Sequence, residues 1–413
     1  GHLGEKIKDY FKDGTNFGVK ISYYEEDPEK PLGTAGSFYY LKDKIDEDFI
    51  LVFGDVFLSV DFTKMVEFHK NNKSDATLLT HPNSHPFDSD LVVVNNENKV
   101  ETFDSKENVR NYDYKNLVNS GIYCFSPKVF DYVNEPKKYG LEKDVISKMI
   151  INGDNVYSYH STEYVKDMGT PERFYAVNDD YANGISEQRN LSHKQKAIFL
   201  DRDGTINVYI PFLVNKEKFE LIDGASEAIK KINSSDYLCI VVTNQPIIAR
   251  GESSFENLED IHKRMETLLG RDGAYIDGLY FCPHHKDKGF PGEVPELKFD
   301  CDCRKPKIGM LLEAVKDFNI DLSESVVIGD STLDIKMAEN ANMKSILVKT
   351  GQAGLDGKYD VTPTEVAEDL LDAVNIILTK EERRRRHEKR RIGRADHRIR
   401  GYDVSCGKNA SVL

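Results

Sequence analysis

Three apolar runs in the second half of the chain end in groups that can handle phosphate, and a basic pair lies between the second and the third. The run Ala-Ile-Phe-Leu at 197–200 leads directly into Asp201-Arg202-Asp203-Gly204-Thr205. Two carboxylates two residues apart at a strand end can project to the same side, where they repel each other unless a cation such as Mg²⁺ neutralises them. The run at 238–242 ends in Thr243-Asn244-Gln245, which offers a hydroxyl and amides to an anion. Arg304 and Lys305 bring positive charge ahead of Pro306, and the run at 326–329 ends in Asp330-Ser331, with Asp334 further on. An Asp-x-Asp pair alone is common in loops. The ordered set of carboxylates, hydroxyl, lysine and further carboxylate specifies phosphoryl transfer.

A second constellation is rich in sulfur. Cys282-Pro-His284 is followed, after sixteen residues, by Cys301-Asp-Cys303. Three thiolates and one imidazole fill a tetrahedral zinc site, so the Zn²⁺ expected here is structural. Its expected role is to fix a polar loop and set Arg304 and Lys305 beside the phosphate. His285 offers an alternative imidazole. Cys124 and Cys239 lie in apolar runs that read as buried strands, and Cys406 falls near the end of the chain.

Positioning these groups takes regular alternation of strand and helix. From residue 197 onward the pattern predicts strands at 197–200, 238–243, near 279, 325–329 and 345–348, separated by helices at 224–233, 255–270, 308–318 and 333–340. This is an α/β, Rossmann-like domain with a parallel sheet, and in such sheets functional groups collect at the carboxyl ends of the strands. Upstream the order is mixed α and β: strands at 19–24, 49–53, 75–80, 90–94, 119–125 and 155–159, and a helix from Phe62 to Lys70 after a turn at Asp61. The polar stretch 183–196 lacks apolar periodicity and marks the boundary. The expected domains are therefore 1–185, a linker at 186–196, and 197–379, followed by a basic tail at 380–413 that reads as poorly ordered.

Composition agrees with two soluble cores. A chain of 413 residues exceeds what one core usually holds, and its apolar runs fall short of a membrane span. No basic-then-apolar leader opens the sequence, so the expected location is cytoplasmic. The 56 Lys and Arg against 70 Asp and Glu give −14; residues 380–400 hold eleven basic and four acidic residues, or +7, which leaves −21 elsewhere. So acidic a body argues against nucleic-acid binding, and neither nucleic acid nor membrane is an expected partner.

The second half resembles the haloacid dehalogenase superfamily of phosphatases, over roughly 196–350. It looks most like the branch of heptose bisphosphate and histidinol phosphatases, through Asp-Arg-Asp-Gly-Thr, Ala249-Arg250-Gly251, and Cys-x-His followed by Cys-x-Cys-Arg-Lys-Pro. Pro246-Ile247 departs from the small residue and glycine that many relatives carry there. The resemblance implies Asp201 as nucleophile forming an aspartyl-phosphate, and Asp203 as the acid that protonates the leaving oxygen and then the base for water. It further implies Mg²⁺ held by Asp201, Asp330 and the backbone carbonyl of Asp203, with Thr243 and Lys305 stabilising charge on the transferring oxygens. Asn244, Arg250 and Arg304 are the candidate substrate-binding groups. Asp334 could orient Lys305 or a metal-bound water, or could be an ordinary first-turn helix acid. For zinc, spacing and resemblance favour His284 over His285.

The first half resembles sugar-phosphate nucleotidyltransferases over about 1–180. The motifs are Pro31-Leu32-Gly33-Thr34-Ala35-Gly36, Gly54-Asp55, Asn119-Ser120-Gly121, Glu142-Lys143-Asp144 and Asp167-Met168-Gly169-Thr170-Pro171. The resemblance implies Asp55 and Asp167 as Mg²⁺-holding carboxylates, the Gly33 to Gly36 turn against a nucleobase, and Asn119, Glu142 and Lys143 on a sugar phosphate. Those transferases carry a glycine-rich phosphate loop upstream of the matching motifs, and the expectation is a domain truncated before Gly1, inactive in transfer, that could serve self-association. The expected reaction is Mg²⁺-dependent hydrolysis of a sugar bisphosphate, D-glycero-D-manno-heptose 1,7-bisphosphate, to the 1-phosphate. Histidinol phosphate hydrolysis and nucleotidyl transfer are the alternatives.

Overall fold

A computed structural model describes residues 4–400. In the second domain successive residues of each strand face opposite sides. Ala197 and Phe199 enter one buried layer with Leu238 and Ile240, whereas Ile198 and Leu200 enter the other with Cys239 and Val241. A strand buried on both faces needs helices on both sides, which is the setting of a parallel sheet. The six strands run in the order Gly278–Cys282, Tyr237–Asn244, Lys196–Leu200, Val326–Gly329, Lys344–Val348 and Glu365–Ala367, and every ladder is parallel. Helices Ala225–Asn233, Phe255–Arg271 and the start of Leu370–Arg400 cover one face; Gly309–Phe318 and Thr332–Asn340 cover the other.

The first domain is built on a mixed sheet. Its long strand Val118–Phe125 pairs antiparallel with Ala76–His81 on one edge, and with Leu91–Val94 and Phe49–Val52 on the other. Val156–His160 adds a parallel neighbour, and Val100–Asp104 closes the far side. Helix Phe62–Asn71 begins where expected, because the Asp61 carboxylate accepts the Thr63 N–H at 3.1 Å and so caps it.

Several expectations change. Residues 19–24 have no ladder partner and form no strand; Val19 is 55% exposed, and a strand without a neighbour has nothing to satisfy its backbone. Strands Val56–Ser59, Val100–Asp104, Tyr164–Asp167 and Glu365–Ala367 were not anticipated. The stretch read as a linker is packed: it contains the short helix Ile185–Gln188, buries Leu191, and uses the Gln195 amide to bond the carbonyls of Gln188, Asn190 and His193. Lys196 already belongs to the first strand of the second sheet.

The tail departs most. Residues 380–400 continue the helix Leu370–Arg400. Its first turns bury Ala373, Val374 and Ile377, and ion pairs follow: Lys196 to Glu381 at 2.8 Å, Arg385 to Asp236 at 2.6 Å, Arg384 to Glu324 at 2.5 Å. Residues 401–413, with Cys406, lie outside the described residues. Among the described residues no helix is long and apolar enough to cross a membrane.

Candidate active site

Asp201 stands at the end of strand Lys196–Leu200, and Lys305 reaches it from the loop after the sulfur cluster. The buried Lys305 Nζ lies 2.8 Å from Asp201 Oδ1 and 2.6 Å from Asp334 Oδ1, and donates to the Val242 carbonyl at 3.1 Å. Asp334 Oδ2 accepts from both the N–H and hydroxyl of Ser331, closing a capping box at helix Thr332–Asn340. Asp334 thus fills both roles considered for it: it starts a helix and holds Lys305. Asp330, ending strand Val326–Gly329, takes the Gln352 N–H on its Oδ2 at 2.6 Å.

Oxygens of Asp201, Asp330 and Asp334 lie within 4.8 Å of one another. Burial pushes Asp201 up to about 7, against the pull of Lys305, and raises Asp330 to about 8 with help from the charges of Asp201 and Asp334. Carboxylates raised this far by burial and by one another's charge fit a divalent cation. Gly204 and Gly351 make room for this arrangement. A Cβ on either would stand 2.2 or 2.1 Å from Asp330 Oδ2, and both have positive φ.

The Asp203 carboxylate lies outside the cation cluster, as its expected roles of acid/base and backbone-carbonyl ligand allow. It faces the fully buried Arg202 at 2.7 Å and accepts from Asn207 at 3.1 Å and Gln245 at 2.8 Å. Burial alone would raise its pKa; Arg202 and these two amides outweigh that and lower it. Gln245 also donates to the buried Thr243 hydroxyl at 3.0 Å, linking two predicted groups. Arg202, Asn207 and Gln352 were not singled out. Only Arg202, lodged between two aspartates, carried a sequence signal.

The candidate substrate groups divide. Asn244 is engaged with the backbone of Lys305, accepting its N–H at 3.0 Å and donating to its carbonyl at 3.2 Å, so it braces the lysine. Arg250 lies between the rings of Phe212 and Phe290, at 4.2 and 4.4 Å, and pairs with Glu252 at 2.8 Å. Arg304 donates to the carbonyl of His284 at 3.2 Å. Pro246-Ile247 leads into an apolar cluster in which Ile247, Ile248 and Leu258 are buried.

The sulfur cluster assembles as expected. Cys282, His284, Cys301 and Cys303 bring their ligand atoms within 4.8 Å of one another, with His284 Nδ1 3.2 Å from Cys303 Sγ. His285 is outside the group and turns Nδ1 toward the backbone of Asp287. Three thiols and one imidazole at this spacing fit zinc.

In the first domain, Asp55 and Asp167 are neighbours across a two-stranded ladder, where Met168 N–H bonds the Asp55 carbonyl at 2.8 Å. Their carboxylates join no group of three or more metal-ligating side chains among the described residues. Asp167 is half exposed and pairs with Arg173 at 3.0 Å. Asn119 and Glu142 do come together, through Asn119 to Tyr123 at 2.8 Å and Tyr123 to Glu142 at 2.5 Å; Lys143 is exposed. The close approach permitted at Gly33 is to Tyr139, whose carbonyl would lie 2.5 Å from an added Cβ, so the turn backs the segment carrying Glu142.

Comparison with known proteins follows the same division. A nucleotidyl transferase family model matches residues 2–184, and a HAD-hydrolase-like model matches residues 302–373. The chain is similar to the D-glycero-beta-D-manno-heptose-1,7-bisphosphate 7-phosphatase of Haemophilus influenzae, with 38% identity over 184 residues, 44% of this chain and 96% of that protein. Its similarity to the enzyme of the same name from Pasteurella multocida is 43% over 186 residues, 44% of this chain and 97% of the relative. Among solved structures, the D,D-heptose 1.7-bisphosphate phosphatase from B. bronchiseptica complexed with magnesium and phosphate is 30% identical, covers 45% of this chain and 99% of its own, and has a TM-score of 0.40.

Proposed function

Because the chain belongs, through its second domain, to the D-glycero-D-manno-heptose-1,7-bisphosphate 7-phosphatase family, a phosphatase of the haloacid dehalogenase type, we propose that it hydrolyses a sugar bisphosphate, D-glycero-D-manno-heptose 1,7-bisphosphate, at the 7-position. The observation that carries the reading is the buried Asp201, Lys305, Asp334 and Asp330 cluster. A carboxylate nucleophile needs a lysine that neutralises it without bonding covalently, and an acid that holds the lysine. Here each is within hydrogen-bond distance of the next.

In this reading Asp201 attacks phosphorus, the sugar oxygen leaves, and water then cleaves the aspartyl-phosphate. Asp203 protonates the leaving oxygen and later removes the proton from water. Its lowered pKa suits the second task, and the negative charge of a bound phosphate beside it raises its proton affinity for the first. Lys305 and Thr243 meet the charge on the transferring oxygens. Mg²⁺ held by Asp201, Asp330 and the backbone carbonyl of Asp203, with Asp334 holding Lys305 beside it, would lower the repulsion between the incoming phosphate and the carboxylates. Zinc at Cys282, His284, Cys301 and Cys303 would fix the loop that delivers Arg304 and Lys305. Zinc thiolates of this kind persist in a reducing compartment, which supports a cytoplasmic location.

Phosphate release measured over a panel of sugar bisphosphates, sugar monophosphates and histidinol phosphate tests the reading. The expected result is preference for the heptose bisphosphate with the 1-phosphate retained in the product. Equal or faster turnover of histidinol phosphate would reverse it.

A further inference from the structure

Residues 206–219 form a flap that runs from the cation cluster to the candidate substrate arginine. At its start, Asn207 donates to Asp203. Tyr209 then accepts a hydrogen bond from the Gln352 side chain at 2.6 Å, and it is the backbone of this same Gln352 that holds Asp330. Phe212, with a left-handed φ of 56°, lays its ring against Arg250. The carbonyl of Val214 accepts from Asn257 on helix Phe255–Arg271 at 2.7 Å. One segment therefore touches the acid/base, the support of a cation ligand and a substrate arginine.

The outer turn of this flap is tied to the first domain. Lys216 Nζ lies 3.1 Å from Oδ2 of Asp113, a first-domain residue whose side chain is nine-tenths buried. The other oxygen of Asp113 takes Arg264 Nη1, on helix Phe255–Arg271, at 3.3 Å. The loop that carries Asp113 is itself docked, with Tyr114 N–H donating to Thr267 Oγ1 at 2.8 Å and Asn116 N–H to Glu266 Oε2 at 2.7 Å. Arg110 braces it from behind, bonding Asp104 and the carbonyls of Pro86 and Ser89. Both cations of the second domain thus meet one carboxylate that the first domain holds in place.

We propose that Asp113 is a positioning residue of the phosphatase, a first-domain carboxylate that pins the flap over the second domain's site. The first domain then contributes to substrate binding without touching substrate. This rests on reading the Asp201 site as a phosphatase site. A partly exposed ion pair is worth at most about 1 kcal/mol, so its loss opens the flap locally and leaves the fold in place.

Amide hydrogen exchange of the full chain tests this directly. In Asp113→Ala and Lys216→Ala, exchange over 206–219 should rise roughly threefold, while strand Tyr237–Asn244 stays as protected as in the wild type. Asp113→Glu, which keeps the charge, should stay near wild type. Arg264→Ala, which removes only the tie to the helix, should leave the flap unchanged. With a sugar bisphosphate, KM should rise roughly threefold in the first two variants at constant kcat. Unchanged flap exchange in both Asp113→Ala and Lys216→Ala overturns the proposal. So does an equal rise in Arg264→Ala, which would make the effect one of general domain docking. If the wild type releases no phosphate from any sugar bisphosphate, the phosphatase reading falls while the exchange result still decides the tie.

Discussion

Each half of this chain brings aspartates together, and the two sites differ in what surrounds them. In the second domain Asp334 and Lys305 are almost fully buried, Asp334 is bonded to Lys305 and to the Ser331 cap, and Asp330 takes the Gln352 N–H. In the first domain Asp55 is exposed and Asp167 is half exposed, with its charge spent on Arg173. Electrostatic stabilisation works best where donors are fixed and water is excluded. Asp55 and Asp167 lack the burial and the fixed partners that surround the second domain's carboxylates.

The contrast is tested most severely at the nucleophile. Asp201→Asn should lower phosphate release by at least about a thousandfold with the fold intact, because no other group can form the phosphoenzyme. Activity within tenfold of wild type would remove Asp201 from that role. Next is the metal loop. Freshly purified protein should hold about one zinc per chain, and Cys301→Ala should lose it and unfold on the order of 10 °C lower, the loop carrying Arg304 and Lys305 opening first. Zinc-free wild-type protein by elemental analysis contradicts this.

A smaller effect comes from the cation cluster. Asp201 and Asp330 have folded pKa values raised above those of the unfolded chain, so between about pH 4 and 8 the native state holds protons that the unfolded state has released. Stability without Mg²⁺ should therefore fall as pH rises through that window. Added Mg²⁺ binds the ionised carboxylates, so it should raise the melting temperature at pH 8 by about 3 °C and have little effect at pH 5. An equal shift at both values would place the cation elsewhere. Smallest of all, Asp167→Asn should leave phosphate release within about twofold of wild type. The unmodified chain should form no nucleotide sugar from heptose 1-phosphate with GTP, ATP, CTP or UTP. Product in that assay would mean that an exposed aspartate pair suffices, and the contrast between the halves would dissolve.

What the sequence disclosed follows the same physical line. Asp201, Thr243 and Asp330 were legible because each sits at the end of an apolar run, where a parallel sheet gathers its chemistry, and Lys305 because it follows the sulfur cluster in an Arg-Lys-Pro segment. The grouping of Cys282, His284, Cys301 and Cys303 was legible from spacing, with the family resemblance helping to choose His284 over His285. The tie of Asn244 to the Lys305 backbone was not legible, because that partner lies sixty-one residues away and leaves no local mark. Gln352 was invisible since its contribution to Asp330 is a backbone N–H that any residue could supply. Over residues 380–400 composition and structure differ. Their charge suggests disorder, but the buried Ala373, Val374 and Ile377 start a helix that pairs such as Glu381 with Arg385 and Glu382 with Arg386 then extend.

The contact between Gly204 and Gly351 has a consequence for how this enzyme can vary. Their α-carbons approach so closely around Asp330 that an added methyl at either position would collide with the carboxylate. In a saturation library scored for phosphate release, two positions without side chains should therefore rank with the nucleophile in intolerance, alanine included. Neither would be recovered by a second substitution elsewhere, because what the site requires of them is empty space.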